Sequence, residues 1–434
     1  MKTESKRVLK PKLRFPKFQG EPEWNAEKLG AVASLITERA GNKKCIPMSI
    51  SSGVGLVSQQ EKFGRTIAGN QYENYLVLQK NDFAYNKSAT KQFPQGFIAK
   101  YSGDEPAAVP NSIFTCFRAH KDGIVPNFLN YLFEGNLHGK WLKKYIEVSA
   151  RAHGSLSIDD EDLLSLPIPL PSGKSSRAEQ QTIAECLTSL DELIVAHGQK
   201  LDALKSYKNA LMQQLFPRDG ETIPRLRFPE FRDAPEWAPH KFGDIVVESF
   251  YGTSESTSDK GKYPVLRMGN MVDGGLDFTN LAYIDLEREK FNAIRLKKGD
   301  ILLNRTNSRD LVGKISLFEM ESECITASYI VAFRLNTNEV HPSFCNLMLN
   351  TQLYQAKIKL LATPSISQAN INPTTFRNNL DILIPTKPEQ RRIANCISSL
   401  GETILAQTQK IEALKSHKKG LMQQLFPSPE EIES

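Results

Sequence analysis

The chain contains two segments that each occur twice, and this internal duplication limits the folds open to it. The sequence LRFPKFQGEPEW at Leu13–Trp24 returns as LRFPEFRDAPEW at Leu226–Trp237. A longer segment, Glu179–Pro217, returns as Glu389–Pro427, with identical residues at about 24 of 39 aligned positions. Self-similarity with a period of half the chain predicts two copies of one domain, and not a solenoid of many short repeats.

The segments between these repeats, Asn25–Ser176 and Ala238–Pro388, keep only faint traces of a common origin. Short stretches correspond in the same order along both segments: KNDFAYNK with KGDILLNR, SIFTCFR with SYIVAFR, and IPLP with ILIP. We therefore predict two domains of one fold, in which the framework is retained and the surface differs.

Short apolar runs rich in β-branched residues indicate strands in both segments. YLVLQ and IFTCF in the first, and KISLF and YIVAF in the second, are bounded by the Gly, Pro, Asn and Asp residues that are typical of turns. Helices are predicted at Asn127–Ile146 and Ser343–Leu361. Each segment is thus predicted to be an α/β or α+β domain of about 150 residues, which is a common domain size.

The longer repeat predicts a pair of amphipathic helices. Its apolar residues recur at alternating spacings of four and three, which is the seam of a coiled coil. The apolar seam positions of the two copies are Ile183, Leu187, Leu190, Ile194, Leu201, Leu204, Leu211 and Leu215, and then Ile393, Ile397, Leu400, Ile404, Ile411, Leu414, Leu421 and Leu425. Pro217 and Pro427 end the two helices.

Polar residues interrupt both seams at matching positions, His197 with Gln407 and Lys208 with Lys418. Such residues lower the stability of a coiled coil but fix its register, and we interpret His197 as a solvated or snorkelling side chain without a chemical role. Two similar helices that each follow a globular domain are expected to form an antiparallel coiled coil of about 50 Å. This pair would hold the domains apart with pseudo-two-fold symmetry.

Composition excludes several classes of protein. The net charge of +6 is mildly basic, which favours a nucleic-acid partner but is far weaker than in a histone-like polycation. The six cysteines are scattered, without a C-x-x-C pair or clustered histidines, so we expect neither a disulfide framework nor a metal site. The N-terminal sequence lacks the apolar stretch of a signal peptide, and no run is long enough to span a membrane, so a cytoplasmic location is expected.

With two variable segments, each followed by a repeated helix, the chain resembles the specificity subunit of type I restriction-modification enzymes. The pattern P-x-x-x-E-Q-x-x-I at the helix start is carried by Pro385, Glu389, Gln390 and Ile393, and in the first copy by Glu179, Gln180 and Ile183. The first copy departs slightly, because PSGKSSRAEQ places extra residues between Pro171 and Glu179. The helix ends, ALKSYKNALMQQLFP and ALKSHKKGLMQQLFP, also resemble those of the family, and the resemblance covers nearly the whole chain.

The resemblance implies a function. Each variable segment would be a target-recognition domain that reads one half of a bipartite, asymmetric DNA site, while the helices set the spacer. Two modification (methyltransferase) subunits, which methylate adenine, would dock along the helices, and restriction (motor-nuclease) subunits would join for cleavage. No cofactor is expected on this chain, since S-adenosylmethionine, ATP and Mg are expected on the partner subunits. Half-sites on one face of DNA lie about 34 Å apart, which helices of about 50 Å can span.

The repeats and the resemblance together predict the domain boundaries. They give an N-terminal conserved segment (1–24), target-recognition domain 1 (25–176), a central coiled-coil helix (177–217), a repeated linker (218–237), target-recognition domain 2 (238–388), a C-terminal coiled-coil helix (389–427) and a tail (428–434).

No Ser-His-Asp, Cys-His or metal-carboxylate constellation is evident, and we expect the chain to be non-catalytic alone. NPTTF at Asn372–Phe376 lacks the second proline of the N-P-P-F motif of adenine methyltransferases, and we interpret it as the first turn of a helix. GKSS at Gly173–Ser176 is similar to part of a phosphate-binding loop, but Ile168 stands where the first glycine is needed, which indicates a linker. The alternatives are an enzyme with an unrecognised site, either a nuclease or a methyltransferase, and a coiled-coil scaffold without a DNA role.

Candidate DNA contacts lie in polar loops, since Arg, Lys, Asn and Gln are the side chains that best read bases. The loops YNKSATKQF and NRTNSRD lie at equivalent places, and a second pair precedes the closing IPLP and ILIP strands. The candidates of the first domain are Asn86, Lys87, Ser88, Lys91, Gln92, Arg151, His153 and Ser155. Those of the second domain are Asn304, Arg305, Asn307, Ser308, Arg309, Ser367, Gln368 and Asn370. We expect Arg118 and Arg334, which follow apolar strands, to support the framework instead.

Overall fold

The chain divides into two units. The computed structural model describes residues 8–51, 53–148, 156–309, 311–364 and 368–428. The first unit comprises Met1–Gly198 and Gln409–Ser434, and the second unit comprises Gln199–Thr408. Each long repeated helix therefore begins in one unit and ends in the other, so the units differ from the domains expected from sequence, which kept each helix whole.

The first unit mixes short strands and helices ahead of its long helix. The strands are β1 (Val8–Leu9), β2 (Trp24–Lys28), β3 (Ala33–Leu35), β4 (Ile46–Ser51), β5 (Gly55–Ser58), β6 (Leu76–Leu78), β7 (Phe83–Asn86), β8 (Phe97–Lys100), β9 (Ala107–Val109), β10 (Phe114–Ala119), β11 (Glu147–Val148), β12 (Leu156–Ser157) and β13 (Pro167–Leu170). The helices are α1 (Leu29–Val32), α2 (Gln59–Phe63), α3 (Pro126–Glu134), α4 (Leu137–Leu142), α5 (Asp160–Leu164) and α6 (Ser176–Leu215), with 3-10 turns at Pro16–Phe18 and Asn70–Asn74.

The second unit repeats this plan. Its strands are β14 (Ala238–Lys241), β15 (Val246–Tyr251), β16 (Tyr263–Leu266), β17 (Met271–Val272), β18 (Gly275–Leu276), β19 (Ala282–Ile284), β20 (Ile301–Asn304), β21 (Thr306–Asn307), β22 (Ile315–Leu317), β23 (Ile325–Thr326), β24 (Ile330–Leu335), β25 (Ala362–Pro364), β26 (Ala369–Ile371) and β27 (Asp381–Ile384). The helices are α7 (Arg288–Ile294), α8 (Pro342–Leu349), α9 (Gln352–Leu360), α10 (Pro373–Asn379) and α11 (Lys387–Leu425), with 3-10 turns at Pro229–Phe231, Phe242–Ile245 and Met268–Asn270.

The main sheets of the two units have equivalent strand orders. The order β3-β10-β7-β8 in the first unit corresponds to β15-β24-β20-β22 in the second, and all neighbours in both sheets are antiparallel. A second sheet in each unit contains one parallel pair, β4 with β9 and β16 with β23. The strand pairs β2-β13 and β14-β27 also correspond. The expected mixed helix and sheet domains, in two copies of one fold, are therefore present.

The central strands are buried on both faces, which explains their continuous apolar sequences. Phe83 and Tyr85 of β7 lie in a core that includes α3, α4 and the start of α6, whereas Ala84 between them lies in a separate core with strands β4, β6 and β9. Side chains alternate across a strand, so a strand with a core on each side needs apolar residues at every position. In β20 the same division places Ile301 and Leu303 in one core and Leu302 in another.

The turn before each of these strands requires a left-handed backbone. Asn81 has a φ of 73° and Gly299 a φ of 95°, and both stand between a lysine and an aspartate in the related sequences KND and KGD. Asparagine and glycine are the residues that adopt this conformation at least cost. The related sequences thus preserve a turn that starts the central strand.

The expectation of single helices at Asn127–Ile146 and Ser343–Leu361 was wrong. The first stretch is divided into α3 and α4 at Gly135 and Asn136, where Asn136 adopts a φ of 62°. The second is divided into α8 and α9, and the Thr351 hydroxyl accepts a hydrogen bond from the backbone N–H of Tyr354 to start α9. Apolar periodicity continues across both breaks, so the pattern alone does not reveal them.

The long helices α6 and α11 keep the predicted seam as their least exposed stripe. Every seam position is buried or half-buried, whereas most residues between them are exposed. Ile183 and Leu187 near the start of α6 lie in the core of the first unit, and Ile393 and Ile397 of α11 lie in that of the second. Within the described residues, neither these helices nor any other combines the length and apolar composition required to cross a bilayer.

Acid is expected to destabilise the first unit through His138 of α4. Burial lowers the pKa of this imidazole to about 4, below a value of about 6.5 in an unfolded chain. The unfolded chain therefore binds an extra proton between these pH values, so the stability contributed by the neutral ring is present above pH 6.5 and is lost as the pH falls towards 4. Between pH 7.5 and pH 5, we expect the free energy of unfolding of the parent protein to fall by about 2 kcal/mol more than that of His138→Phe, as measured by urea unfolding. Equal losses in the two proteins would contradict a buried neutral imidazole.

Candidate nucleic-acid interface

A buried glutamate fixes the start of α6. Glu179 is 1% exposed, and its carboxylate accepts hydrogen bonds from Nε and Nη2 of Arg14, both at 2.7 Å. Trp24 Nε1 donates to the same carboxylate at 3.3 Å, and Arg14 also donates to the carbonyl oxygens of Glu21 and Pro22. A buried ion pair stabilises a fold when good geometry and further hydrogen bonds compensate for its desolvation, and both conditions are met here.

The second unit contains the same cluster at the start of α11. Glu389 accepts from Nε and Nη2 of Arg227 at 2.8 and 2.7 Å, and from Nε1 of Trp237 at 3.4 Å. Arg227 also donates to the carbonyl oxygens of Ala234 and Pro235, both at 2.8 Å. We call each Arg-Glu-Trp group a junction cluster. The repeated LRFP segment supplies the arginine of each junction cluster, and the repeated PEW sequence supplies its tryptophan.

The glutamine after each glutamate binds the variable part of its unit. Gln180 Oε1 accepts a hydrogen bond from the backbone N–H of Val125, which precedes α3, at 2.9 Å. Gln390 Oε1 accepts from the backbone N–H of His341, which precedes α8, at 2.7 Å. Both glutamines are 1% exposed. The repeated Glu-Gln pair therefore joins the long helix to the LRFP segment through one residue and to the variable segment through the other.

The end of α11 completes the junction in the first unit. The backbone N–H of Leu13 donates to the carbonyl oxygen of Gln424 at 2.9 Å. Phe426, directly after α11, packs edge-on against Phe128 of α3, which also contacts Trp24 of the junction cluster. The start of one long helix and the end of the other are thus held in one core.

The end of α6 has the equivalent place in the second unit. The backbone N–H of Leu226 donates to the carbonyl oxygen of Gln214 at 2.9 Å. Phe216 stacks on Phe344 of α8 with a centroid distance of 5.6 Å, and both contact Trp237. The repeated sequences are therefore framework, and sites that differ between the units must lie elsewhere.

Arg118 and Arg334 support the central strands, as expected from the sequence. Arg118 donates to Asp82 through Nε and Nη2, both at 2.7 Å, and Arg334 donates to Asp300 at 3.1 and 3.0 Å. Burial raises the pKa of Asp300, and the hydrogen bonds from Arg334 oppose that shift. These pairs fix the strands β7 and β20, at whose ends the polar loops begin.

In the first unit, the predicted loop begins at the end of β7. The backbone N–H of Lys87 donates to the carbonyl oxygen of Ile113, and its own carbonyl oxygen accepts from the N–H of Leu156 at 2.7 Å. Lys87 and Ser88 are half-buried, and Lys91 and Gln92 are exposed. The remaining candidates of this unit, Arg151, His153 and Ser155, lie outside the described residues.

In the second unit, the structure brings the two predicted stretches together in one sheet. Strand β21 pairs with β26, so that Thr306 lies opposite Asn370 and Asn307 opposite Ala369. Arg305 repeats the backbone contacts of Lys87, with its N–H bonded to Tyr329 and its carbonyl oxygen to the N–H of Ile371. The exposed candidates are Ser308, Arg309, Gln368 and Asn370, while Arg305 and Asn307 are half-buried; Ser367 lies outside the described residues.

Two of the predicted DNA contacts, Asn304 and Asn86, are buried and are therefore not available to a ligand. Asn304 is fully buried as the last residue of β20, and Asn86 is 8% exposed at the end of β7. Asn86 Oδ1 accepts from the backbone N–H of Ser88, which closes a local turn. Because both strands are covered on both faces, a polar residue that the sequence pattern assigns to the start of a loop is still inside the domain. We assign both asparagines to the framework.

Two residues that were not predicted from the sequence also contact the second loop. The Tyr251 ring of β15 lies 5.5 Å from the Arg305 guanidinium, and Met268 Sδ accepts a hydrogen bond from Asn307 Nδ2 at 3.3 Å. Both lie far from the loop in sequence, and neither is part of a motif. Only the order of strands in the sheets brings them to the loop.

In the first unit, a buried lysine of α11 forms an ion cluster that has no equivalent among the described residues of the second unit. Lys418 of α11 is 7% exposed, and its Nζ lies 2.7 Å from Asp191 Oδ1 and 2.6 Å from Glu134 Oε1. The Tyr131 hydroxyl donates to Asp191 Oδ2 at 2.8 Å, and its ring faces the Lys418 ammonium. Burial raises the pKa of Tyr131 well above its usual value.

The equivalent lysine of α6, Lys208, lies in the second unit without equivalent partners. The positions that match Asp191, Glu134 and Tyr131 are occupied by Gly401, Asn350 and Leu347, none of which carries a charge. Lys208 is half-buried, and none of the ion pairs found among the described residues includes it. The helix ends have nearly the same sequence but different surroundings.

Replacing these two lysines should have unequal effects. We expect Lys418→Met to lower the free energy of unfolding, because it leaves two adjacent carboxylates without a cation. The loss should be only about 1–3 kcal/mol, because both carboxylates are partly exposed to solvent. Lys208→Met, the matched control, should change it by less than about 0.5 kcal/mol. Urea unfolding of both variants measures the difference. Equal effects would show that the Lys418 cluster adds no stability of its own.

The NPTTF segment forms the first turn of a helix, as predicted. Asn372 is the N-cap of α10, and its Oδ1 accepts from the backbone N–H groups of Thr374 and Thr375 at 2.8 and 3.2 Å. Its side-chain oxygen is therefore engaged in starting a helix. Within the described residues, no group of three or more His, Cys, Asp or Glu side chains is placed to hold a metal ion.

Comparison with known proteins covers both halves of the chain. The family model described as type I restriction modification DNA specificity domain matches residues 25–206 and 236–416. The MjaX type I restriction enzyme specificity subunit of Methanocaldococcus jannaschii is 30% identical over 201 residues, which are 45% of this chain and 47% of that protein. The EcoKI specificity subunit of Escherichia coli is 23% identical over 250 residues, 55% of this chain and 51% of that one. The chain thus matches about half the length of these relatives.

Solved structures share the fold over nearly the full length. The S subunit of a type I restriction-modification system from M. genitalium has a TM-score of 0.57 at 15% identity, covering 97% of this chain and 100% of that chain. A chain from a structure of type I R-M complex assembly and conformational transition has a TM-score of 0.57 at 16% identity, covering 94% and 98%. At this identity, the likeness concerns the fold alone.

Proposed function

Because the chain belongs to the type I restriction-modification DNA specificity family, we propose that it is the sequence-specific DNA-binding subunit of a type I restriction-modification complex. Each unit contributes one target-recognition domain, and each domain reads one half of a bipartite, asymmetric DNA site. The partners are double-stranded DNA, two modification subunits and the restriction subunits.

The observation that carries this proposal is a common frame with different loops. Lys87 and Arg305 make the same two backbone contacts at the ends of equivalent strands, yet the residues that follow them, SATKQ and TNSRD, share no pattern. A duplicated enzyme would repeat its reacting groups, and a scaffold would not need polar loops at matching places. Domains that read two different half-sites need this combination of constant frame and variable loop.

The two long helices set the distance between the domains in this proposal. We assign to them an antiparallel coiled coil with pseudo-two-fold symmetry, supported by the continuous seam of buried and half-buried residues on both α6 and α11. The seam positions repeat at the same spacings in both helices, so one register satisfies both. The length of the coiled coil then determines the number of unread base pairs.

The modification subunits dock on the outer faces of these helices. Val195 of α6 and Leu405 of α11 occupy equivalent positions in the repeat and are 57% and 58% exposed. Paired exposed apolar side chains, one on each helix, suit two copies of a single partner. Binding of S-adenosylmethionine, ATP and Mg and all covalent chemistry belong to the partner subunits, and this chain is non-catalytic alone.

Loop variants test the assignment of one domain to each half-site. We expect the double variant Lys91→Ala/Gln92→Ala to alter only one half of the methylated sequence, and Ser308→Ala/Arg309→Ala to alter only the other, because each pair is exposed in one loop. Mapping of methylated adenines in DNA from cells that carry the chain with its partner subunits measures both halves at once. An altered base in both halves from a single loop would contradict the assignment.

Methyl transfer by the purified chain and the loop variants separate this proposal from its alternatives. Purified chain incubated with DNA and labelled S-adenosylmethionine should transfer no methyl group, and methyl transfer without partners would identify an enzyme instead. A scaffold without a DNA role predicts that neither loop variant changes the methylated sequence.

The length of the helices should determine the spacer. Four residues inserted between Gly198 and Gln199, with four more between Thr408 and Gln409, add about one turn, or roughly 6 Å, to each helix. We expect a longer spacer between two unchanged half-sites, measured by the same mapping. Four residues inserted in one helix only are the control, since they break the register and should abolish methylation. Changed half-sites would show that the helices take part in base reading.

A further inference from the structure

The two units place a cation at one equivalent backbone position. Lys87 and Arg305 follow the central strands of their sheets, and each has its N–H and its carbonyl oxygen bonded to neighbouring segments. The Cα position is therefore fixed in both units, and only the side chain differs. A lysine presents a compact point charge, whereas an arginine presents a planar fork of donors.

The side chain of Arg305 also has partners within its unit. Its Nη2 donates to Oδ1 of Asn370 at 3.0 Å, and its guanidinium faces the Tyr251 ring at 5.5 Å. Asn370 is itself fixed by the pairing of β26 with β21 and β25. Tyr251 is 48% exposed, so this end of the loop is open to solvent.

Arg305 differs from the framework arginines in what it binds. Each of those donates two hydrogen bonds to a carboxylate; they are Arg14, Arg118, Arg227 and Arg334. None of the ion pairs found among the described residues includes Arg305, and its buried Nε has no partner among them. A guanidinium has five N–H donors, so the contact with Asn370 leaves donors for a further ligand. The site has an oriented cation with unused hydrogen-bonding capacity.

We propose that Arg305 is a base-reading residue of the second unit and binds O6 and N7 of a guanine in the major groove, with Asn370 and Tyr251 as its positioning residues. This inference rests on the proposed function, because it requires that the second unit reads DNA. Two parallel N–H groups of arginine match the two acceptors of guanine, and this pair is the commonest specific contact to a base. A phosphate contact needs only a cation and tolerates a mobile side chain. It would therefore not explain why Asn370 and Tyr251 both contact the guanidinium.

The experiment uses the full chain assembled with its partner subunits. The methylated site is first mapped, and binding is then measured on duplexes in which each base pair of the half-sites is changed in turn. We expect Arg305→Lys and Arg305→Ala both to lose about 10- to 100-fold discrimination at one G·C pair of one half-site, with the other half-site unchanged. Lysine retains the charge but lacks the fork, so its failure to rescue distinguishes base reading from phosphate binding.

The positioning residues give an independent readout. Asn370→Ala and Tyr251→Leu retain Arg305 but remove its supports, and we expect each to reduce discrimination about 3- to 10-fold at that same G·C pair. Lys87→Ala is the matched control at the equivalent position, and its effect should fall on the other half-site. Thermal unfolding of each variant accompanies the binding measurements, so that the loss at one base pair is compared among folded proteins only.

Several outcomes would overturn the inference. Full rescue by Arg305→Lys, with Arg305→Ala weakening all duplexes equally, would identify a phosphate contact. Unchanged discrimination in both variants would remove Arg305 from base reading while leaving the proposed function intact. Absence of sequence-dependent binding by the unaltered assembly would instead defeat the proposed function, and the inference with it.

Discussion

The fold depends on two buried carboxylates, Glu179 and Glu389. Each lies in the first turn of a long helix, where an ionised side chain is favoured by the helix dipole, and each binds an arginine in a bidentate pair and a tryptophan. Without the carboxylate, the arginine of the LRFP segment would keep its hydrogen bonds to carbonyl oxygens but would lose its anionic partner. The glutamine that follows connects the same turn to the variable segment, so two adjacent residues fix the geometry of three elements.

This arrangement separates what must stay constant from what can change. The junction clusters, the aromatic residues after the long helices and the Asp-Arg pairs at the central strands occur in both units. The loops at the ends of β7 and β20 make common backbone contacts but carry unrelated side chains. A frame that fixes a loop through its backbone allows the loop sequence to vary without loss of the fold.

The duplication, the strands and the seam were predictable because each is a pattern of neighbouring residues. The positions of the two polar loops that we propose to read DNA were predictable for the same reason, since polar residues follow apolar strands. Three features were not predictable. The break at Asn136 depends on a single left-handed residue within an uninterrupted apolar pattern. The burial of Asn304 depends on a second core behind the sheet, and the contact of Tyr251 with Arg305 depends on strand order, which joins residues distant in sequence.

The division of the long helices between the units has a consequence for synthesis of the protein. All residues of the second unit, from Gln199 to Thr408, are consecutive in the chain, whereas the core of the first unit includes Met422, Leu425 and Phe426. A ribosome makes the chain from the N-terminus, and domains fold as their residues emerge. The half that is translated first therefore waits for the last helical turns before its apolar interior can close, and the later half is the first to be complete.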